Sequence, residues 1–120
     1  MKPSNTLIQG GNVIDPKAGR NGPMDILIKH GVVVKVAPKL EAKNGEEIFQ
    51  ARGLHIFPGF IDLHVHFREP GFEGKETILS GCQAALHGGF VACVTMPNTQ
   101  PPCDNQSVIE HIMAKSGEVP

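Results

Sequence analysis

His64 and His66 stand two residues apart near the end of Phe60-Ile61-Asp62-Leu63-His64-Val65-His66-Phe67, an apolar run interrupted at alternate positions. On an extended strand, residues two apart project from the same face. Two imidazoles so placed can point at one ion, roughly 2.0–2.1 Å from each ring nitrogen, as at a zinc site. Taken bare, a histidine pair at this spacing is more often a polar surface pair. Its place at the C-terminal end of an otherwise apolar strand favours the metal, because a loop and a helix follow, and active sites of parallel α/β folds are built at that edge.

Asp62 shares that face, two residues before His64. A ligating imidazole usually hands its other N–H to a carboxylate or carbonyl, which makes Asp62 a candidate to orient one of the pair. A carboxylate satisfied by backbone is the equal alternative. Arg68 continues the same parity just past the pair, where its planar fork could grip a substrate carboxylate bidentately. A solvated loop arginine fits that position as well. Asn98 follows a second apolar run, in Met96-Pro97-Asn98-Thr99, and can both donate to and accept from a small polar ligand, although an Asn after a strand is commonly a turn former. His55, His87 and His111 fall before the first strand, at a helix end and within a helix, and read as structural or solvated.

The elements that must position these residues follow from periodicity. From Thr6 to about Gln50, short β-branched runs such as Ile26-Leu27-Ile28 and Val32-Val33-Val34 are punctuated by Gly, Asn and Pro, which predicts a small antiparallel strand assembly. His30-Gly31 reads as a two-residue hairpin turn, with His30 in solvent. After Arg52-Gly53 the units lengthen. A strand over 60–67, with one face buried and one carrying chemistry, breaks at Glu69-Pro70-Gly71. A helix over 75–87 holds Ile78, Leu79, Cys82, Ala85 and Leu86 at helical spacing and closes on Gly88-Gly89. Phe90 to Met96 predicts a second, buried strand, and Asp104 or Asn105 caps a helix carrying Val108, Ile109, Ile112 and Met113. Strands alternating with such helices imply a parallel sheet with right-handed crossovers, the start of a barrel or of a doubly wound fold.

Composition excludes several classes. Eleven basic against twelve acidic residues give a formal net charge of -1 with no basic run, which argues against a nucleic-acid partner. No apolar stretch approaches the roughly 18 residues of a membrane span, and the first residues hold no apolar signal core, so the expectation is a cytoplasmic protein with no membrane partner. Cys82, Cys93 and Cys103 are odd in number and lack C-x-x-C spacing, and so read as reduced, partly buried thiols.

With these residues in view, Pro58-Gly59-Phe60-Ile61-Asp62-Leu63-His64-Val65-His66-Phe67-Arg68-Glu69-Pro70-Gly71 resembles the first barrel strand and loop of class I dihydroorotases, in the amidohydrolase superfamily. Gly88-Gly89-Phe90 and Met96-Pro97-Asn98-Thr99 look like that family's second strand, and the early strands like its non-barrel β domain. The resemblance covers nearly the whole chain. H-x-H alone marks the superfamily, whereas Arg68 and the M-P-N-T string point to dihydroorotase over hydantoinase or allantoinase. It implies an α/β fold: a small, sandwich-like β domain begun by residues 1–55, then the first two βα units of a (β/α)8 TIM-type barrel over 56–120. It also implies that His64 and His66 bind a zinc ion (Zn2+), and that Arg68 and Asn98 hold the α-carboxylate of dihydroorotate or N-carbamoyl-L-aspartate.

At 120 residues the chain falls below the roughly 250 of a complete barrel, so the expectation is an N-terminal fragment with an incomplete barrel, inactive alone and binding zinc weakly. In the family, the remaining metal ligands and the proton-shuttling Asp come from later strands, so no catalytic acid or base is assigned before Pro120. Two other readings stay open. One is a related hydrolase of hydantoin, dihydropyrimidine or allantoin. The other is a non-catalytic dihydroorotase-like subunit that scaffolds aspartate transcarbamoylase. A homo-oligomer fits any of the three.

Overall fold

The computed structural model describes residues 5–119. The chain divides into two compact units between Pro58 and Gly59. In the first, β1 (Asn5–Asp15) is the central strand, and β2 (Arg20–Lys29) and β3 (Val32–Ala37) follow it as antiparallel neighbours. Leu7, Val13, Ile26 and Ala51 form its buried core. The β2–β3 hairpin turns through His30 (φ 51°) and Gly31 (φ 78°), the two left-handed residues that a twist-matched two-residue turn requires.

The expectation of an antiparallel assembly holds only for those three strands. Residues 38–45 bring the chain back to the other side of β1, where β4 (Glu46–Gln50) and the short β5 (His55–Ile56) pair with it in parallel. A parallel neighbour needs such a return across the sheet, and no two-residue turn supplies it.

One buried carboxylate ties this unit together. The β1–β2 ladder shifts register between Ile8 and Gly11, and Gly10 there takes φ 71°. Asp25, only 5% exposed, receives the Gly10 N–H on Oδ1 and the Leu40 N–H on Oδ2, both at 2.8 Å. It therefore joins the bulge to the returning segment. Asp25→Ala would leave both amides without their acceptor, and is expected to cost about 2–4 kcal/mol in denaturant unfolding, with Asp25→Asn costing less because it keeps one acceptor oxygen. A loss below about 0.5 kcal/mol, the size of an ordinary surface substitution, would contradict this.

The second unit runs β6 (Phe60–Val65), α1 (Ile78–His87), β7 (Phe90–Thr95), α2 (Gln106–Ser116), with β6 and β7 parallel. Helix α1 starts three residues later than its apolar spacing suggests, because Thr77 and Ser80 close a reciprocal capping box that sets its first turn. Asn105 caps α2 by accepting the Val108 N–H. Gly89, at φ 82°, ends the α1 connection, and its carbonyl accepts the Phe60 N–H at 2.9 Å.

The strands here are less covered than their apolar content predicts. Ile61 is 60%, Leu63 71% and Val91 69% exposed, although a buried β7 and a buried face of β6 were expected. Parallel strands are normally covered on both faces. Two strands under two helices bury Phe67, Ile78 and Val108 but leave the remaining apolar side chains open. No helix among the described residues is long and apolar enough to cross a membrane.

Candidate metal and substrate site

The C-terminal edge of the β6–β7 pair gathers most of the chemistry. Val65 pairs with Thr95, and the Met96 N–H donates to the Val65 carbonyl at 2.8 Å, so both strands end level. His66 follows β6 directly, and Asn98 lies three residues past the end of β7. Phe67, 8% exposed, turns the other way and packs against α1 at Gly81, where an added Cβ would stand 2.6 Å from its ring. That close approach anchors the backbone beside His66.

The two imidazoles meet. His64 Nε2 and His66 Nε2 lie 3.1 Å apart, with the rings edge to face at 4.9 Å between centroids. Two nitrogens sharing one tetrahedral ion at roughly 2.0–2.1 Å would stand roughly 3.3–3.4 Å apart, so the pair fits a common metal with minor adjustment. The donor set is incomplete: no group of three or more His, Cys, Asp or Glu that could hold a metal occurs among the described residues. Among the described residues, two imidazole nitrogens meet here and no carboxylate joins them as a third ligand.

Asn98 Oδ1 lies 3.0 Å from His66 Nδ1, so the loop that follows β7 touches the histidine just past β6. Of the two partners open to it, an imidazole or the backbone, Asp62 contacts the backbone. Its Oδ1 accepts the His64 backbone N–H at 3.0 Å, where the β6–β7 register is interrupted between Asp62 and Val65. The carboxylate thus supports the main chain under His64.

Arg68 is half-buried two residues past His66, and it forms no ion pair with a described carboxylate. Its backbone is well held. The Phe72 N–H donates to the Arg68 carbonyl at 2.8 Å, and the neighbouring Glu69 accepts the Ile78 N–H at the start of α1 at 2.9 Å. The β6 and β7 loops are also joined, through the Gln100 N–H to the Pro70 carbonyl at 2.9 Å. Gly71 (φ 103°) sits so close to the Gln100 carbonyl oxygen that a Cβ would stand 2.2 Å from it. Glu73 accepts the Gly71 N–H, and that bond holds its carboxyl below the usual carboxylate range.

The remaining histidines stay outside the site. His87 Nδ1 bonds the Gln83 carbonyl in its own helix, His111 lies 3.9 Å from Glu69, and His55 stacks beside Phe57. Cys82, Cys93 and Cys103 are free and half-buried. Burial pushes the Cys82 and Cys93 thiols up, with Cys93 adding to the effect on Cys82 and Asp62 to that on Cys93. They are poor nucleophiles where they sit. An apolar cleft of about 520 Å³ between α1, α2 and β7 is lined by Ile78, Cys82, Leu86 and Met113, and includes none of His64, His66, Arg68 and Asn98.

The fold has counterparts among solved structures. The L-hydantoinase (dihydropyrimidinase) of Arthrobacter aurescens superposes with a TM-score of 0.78 at 21% identity, over 96% of this chain and 25% of that one. A D-hydantoinase (dihydropyrimidinase) from Thermus sp. gives 0.70 at 29% identity, over 92% and 24%. The fold is that of the amidohydrolases, of whose (β/α)8 barrel this chain holds an incomplete part. Residues 53–119 match the dihydro-orotase-like family model. The dihydroorotase of Geobacter metallireducens is 48% identical over 112 residues, and that of Acetivibrio thermocellus 46% over 110. The chain belongs to the dihydro-orotase-like family, and spans about a quarter of the length of these curated relatives: 26% of each.

Proposed function

We propose that this chain forms the N-terminal part of a zinc-dependent cyclic amidohydrolase that interconverts dihydroorotate and N-carbamoyl-L-aspartate. The observation that carries the reading is the meeting of His64, His66 and Asn98 at one sheet edge, with Arg68 two residues further on. His64 and His66 hold the metal from one side. Zinc, when bound, supplies Lewis-acid polarisation of the cyclic amide carbonyl and activation of water at neutral pH. The further ligands and the group that moves the proton would come from other strands of the barrel.

The chain's own contribution is to bind and orient. Arg68 is a fixed-charge fork with no carboxylate partner among the described residues, on a loop pinned by Glu69 and Gln100. It accepts the α-carboxylate of the substrate, and the free amide N–H groups of Asn98 assist it. Hydantoinase-like activity is the second reading, favoured by the similarity to the Thermus enzyme. Hydantoin and dihydrouracil lack a ring carboxylate, so they leave Arg68 unpaired.

The two readings separate by substrate. With full-length, zinc-loaded enzyme, kcat/KM for dihydroorotate is expected to exceed that for hydantoin, dihydrouracil or allantoin by at least about a hundredfold, the discrimination available to a site built around one charged group. Faster turnover of hydantoin or dihydrouracil would replace the first reading with the second.

A further inference from the structure

We infer that Asn98 is a positioning residue for His66: its carbonyl oxygen fixes the imidazole tautomer that turns a lone pair toward His64. The inference rests on the metal reading above and concerns how this chain prepares its ligand. The Oδ1 of an amide has lone pairs and no proton, so at 3.0 Å it accepts, and His66 Nδ1 must carry the hydrogen. A neutral imidazole protonated at Nδ1 has a bare Nε2. That bare nitrogen is the one facing His64 Nε2 at 3.1 Å.

The hold is one-sided. Asp62 gives its oxygen to the His64 backbone amide, so among the described residues only His66 has its remote ring nitrogen held by a side chain. Without Asn98 the His66 proton would distribute between both nitrogens, and the ring would lose its torsional restraint. Both losses are suffered before any metal arrives. The amide also has a second end: Asn98 Nδ2 donates to no described residue, while Oδ1 serves the histidine.

The two ends can be separated by substitution. Asn98→Ala removes both, whereas Asn98→Asp keeps an acceptor for His66 Nδ1–H and removes the donor. In the full-length protein, zinc affinity measured by chelator competition is expected to fall about 10–100-fold in Asn98→Ala and to be retained in Asn98→Asp, the range typical for loss of a ligand's hydrogen-bonded partner. KM for dihydroorotate rises in both. Ring 15N shifts of His66 in the zinc-free native protein provide a readout that needs no variant, and are expected to show a protonated Nδ1. Equal zinc affinity in all three proteins, or a protonated Nε2 in the native one, overturns the positioning role and leaves the metal reading standing. A native protein that takes up no zinc overturns both.

Discussion

His66→Ala in the full-length, zinc-loaded enzyme is expected to lower kcat by at least about a thousandfold, ~4 kcal/mol of transition-state stabilisation. The ring makes two side-chain contacts at the sheet edge: Nε2 toward His64 and Nδ1 on Asn98. Removing it deletes one of the two nitrogen donors this chain offers and strands the Asn98 carbonyl. The bound zinc should fall in step with kcat, and inductively coupled plasma mass spectrometry on the purified variant measures it. His87→Ala provides the contrast, because His87 bonds only its own helix at Gln83 and should leave both zinc and turnover near native values. Retention of activity within about tenfold in His66→Ala would remove the pair from the metal site.

How much of this was legible differs from residue to residue. The spacing of His64 and His66 is a local property of one strand, and the 3.1 Å approach of their nitrogens follows from both facing one way. The His30-Gly31 turn was equally local. The contact between His66 and Asn98 is not, because it joins residues 32 apart and depends on the β6–β7 register, which is interrupted at two places. Asn98 could be read as a polar group at the same edge, but not as a partner of His66. For Asp62 the sequence leaves an imidazole partner and a backbone partner equally open, and its Oδ1 accepts the His64 backbone N–H two residues on. Glu69 seats the start of α1 from nine residues upstream, and no periodicity marks such a bond. In the first unit, parallel pairing of β4 with β1 was hidden for a related reason: Asp25 gathers Gly10 and Leu40 across a long stretch of sequence, and strand direction follows from that return. The open faces of Ile61, Leu63 and Val91 mark the reverse case, in which side-chain hydrophobicity is local but the layer that covers it is not.

Arg68 carries the other large effect. A guanidinium gripping a carboxylate with two parallel hydrogen bonds gains about 1.5–3 kcal/mol from each charged contact, so Arg68→Ala is expected to raise KM for dihydroorotate by about a hundredfold or more. Arg68→Lys retains the charge but not the fork, and is expected to raise KM by about tenfold, because a point charge cannot meet both oxygens at once. In each variant kcat should change less than KM, since the α-carboxylate is held alike in the ground and transition states. The loop itself should survive either change: Arg68 is tied through its backbone carbonyl to Phe72, and the neighbouring Glu69 holds α1, neither of which uses the guanidinium. Circular dichroism and an unaltered unfolding midpoint check that independence. A side chain with no substrate partner would instead leave KM unchanged in Arg68→Lys, and the carboxylate clamp would have to be sought on another strand of the barrel.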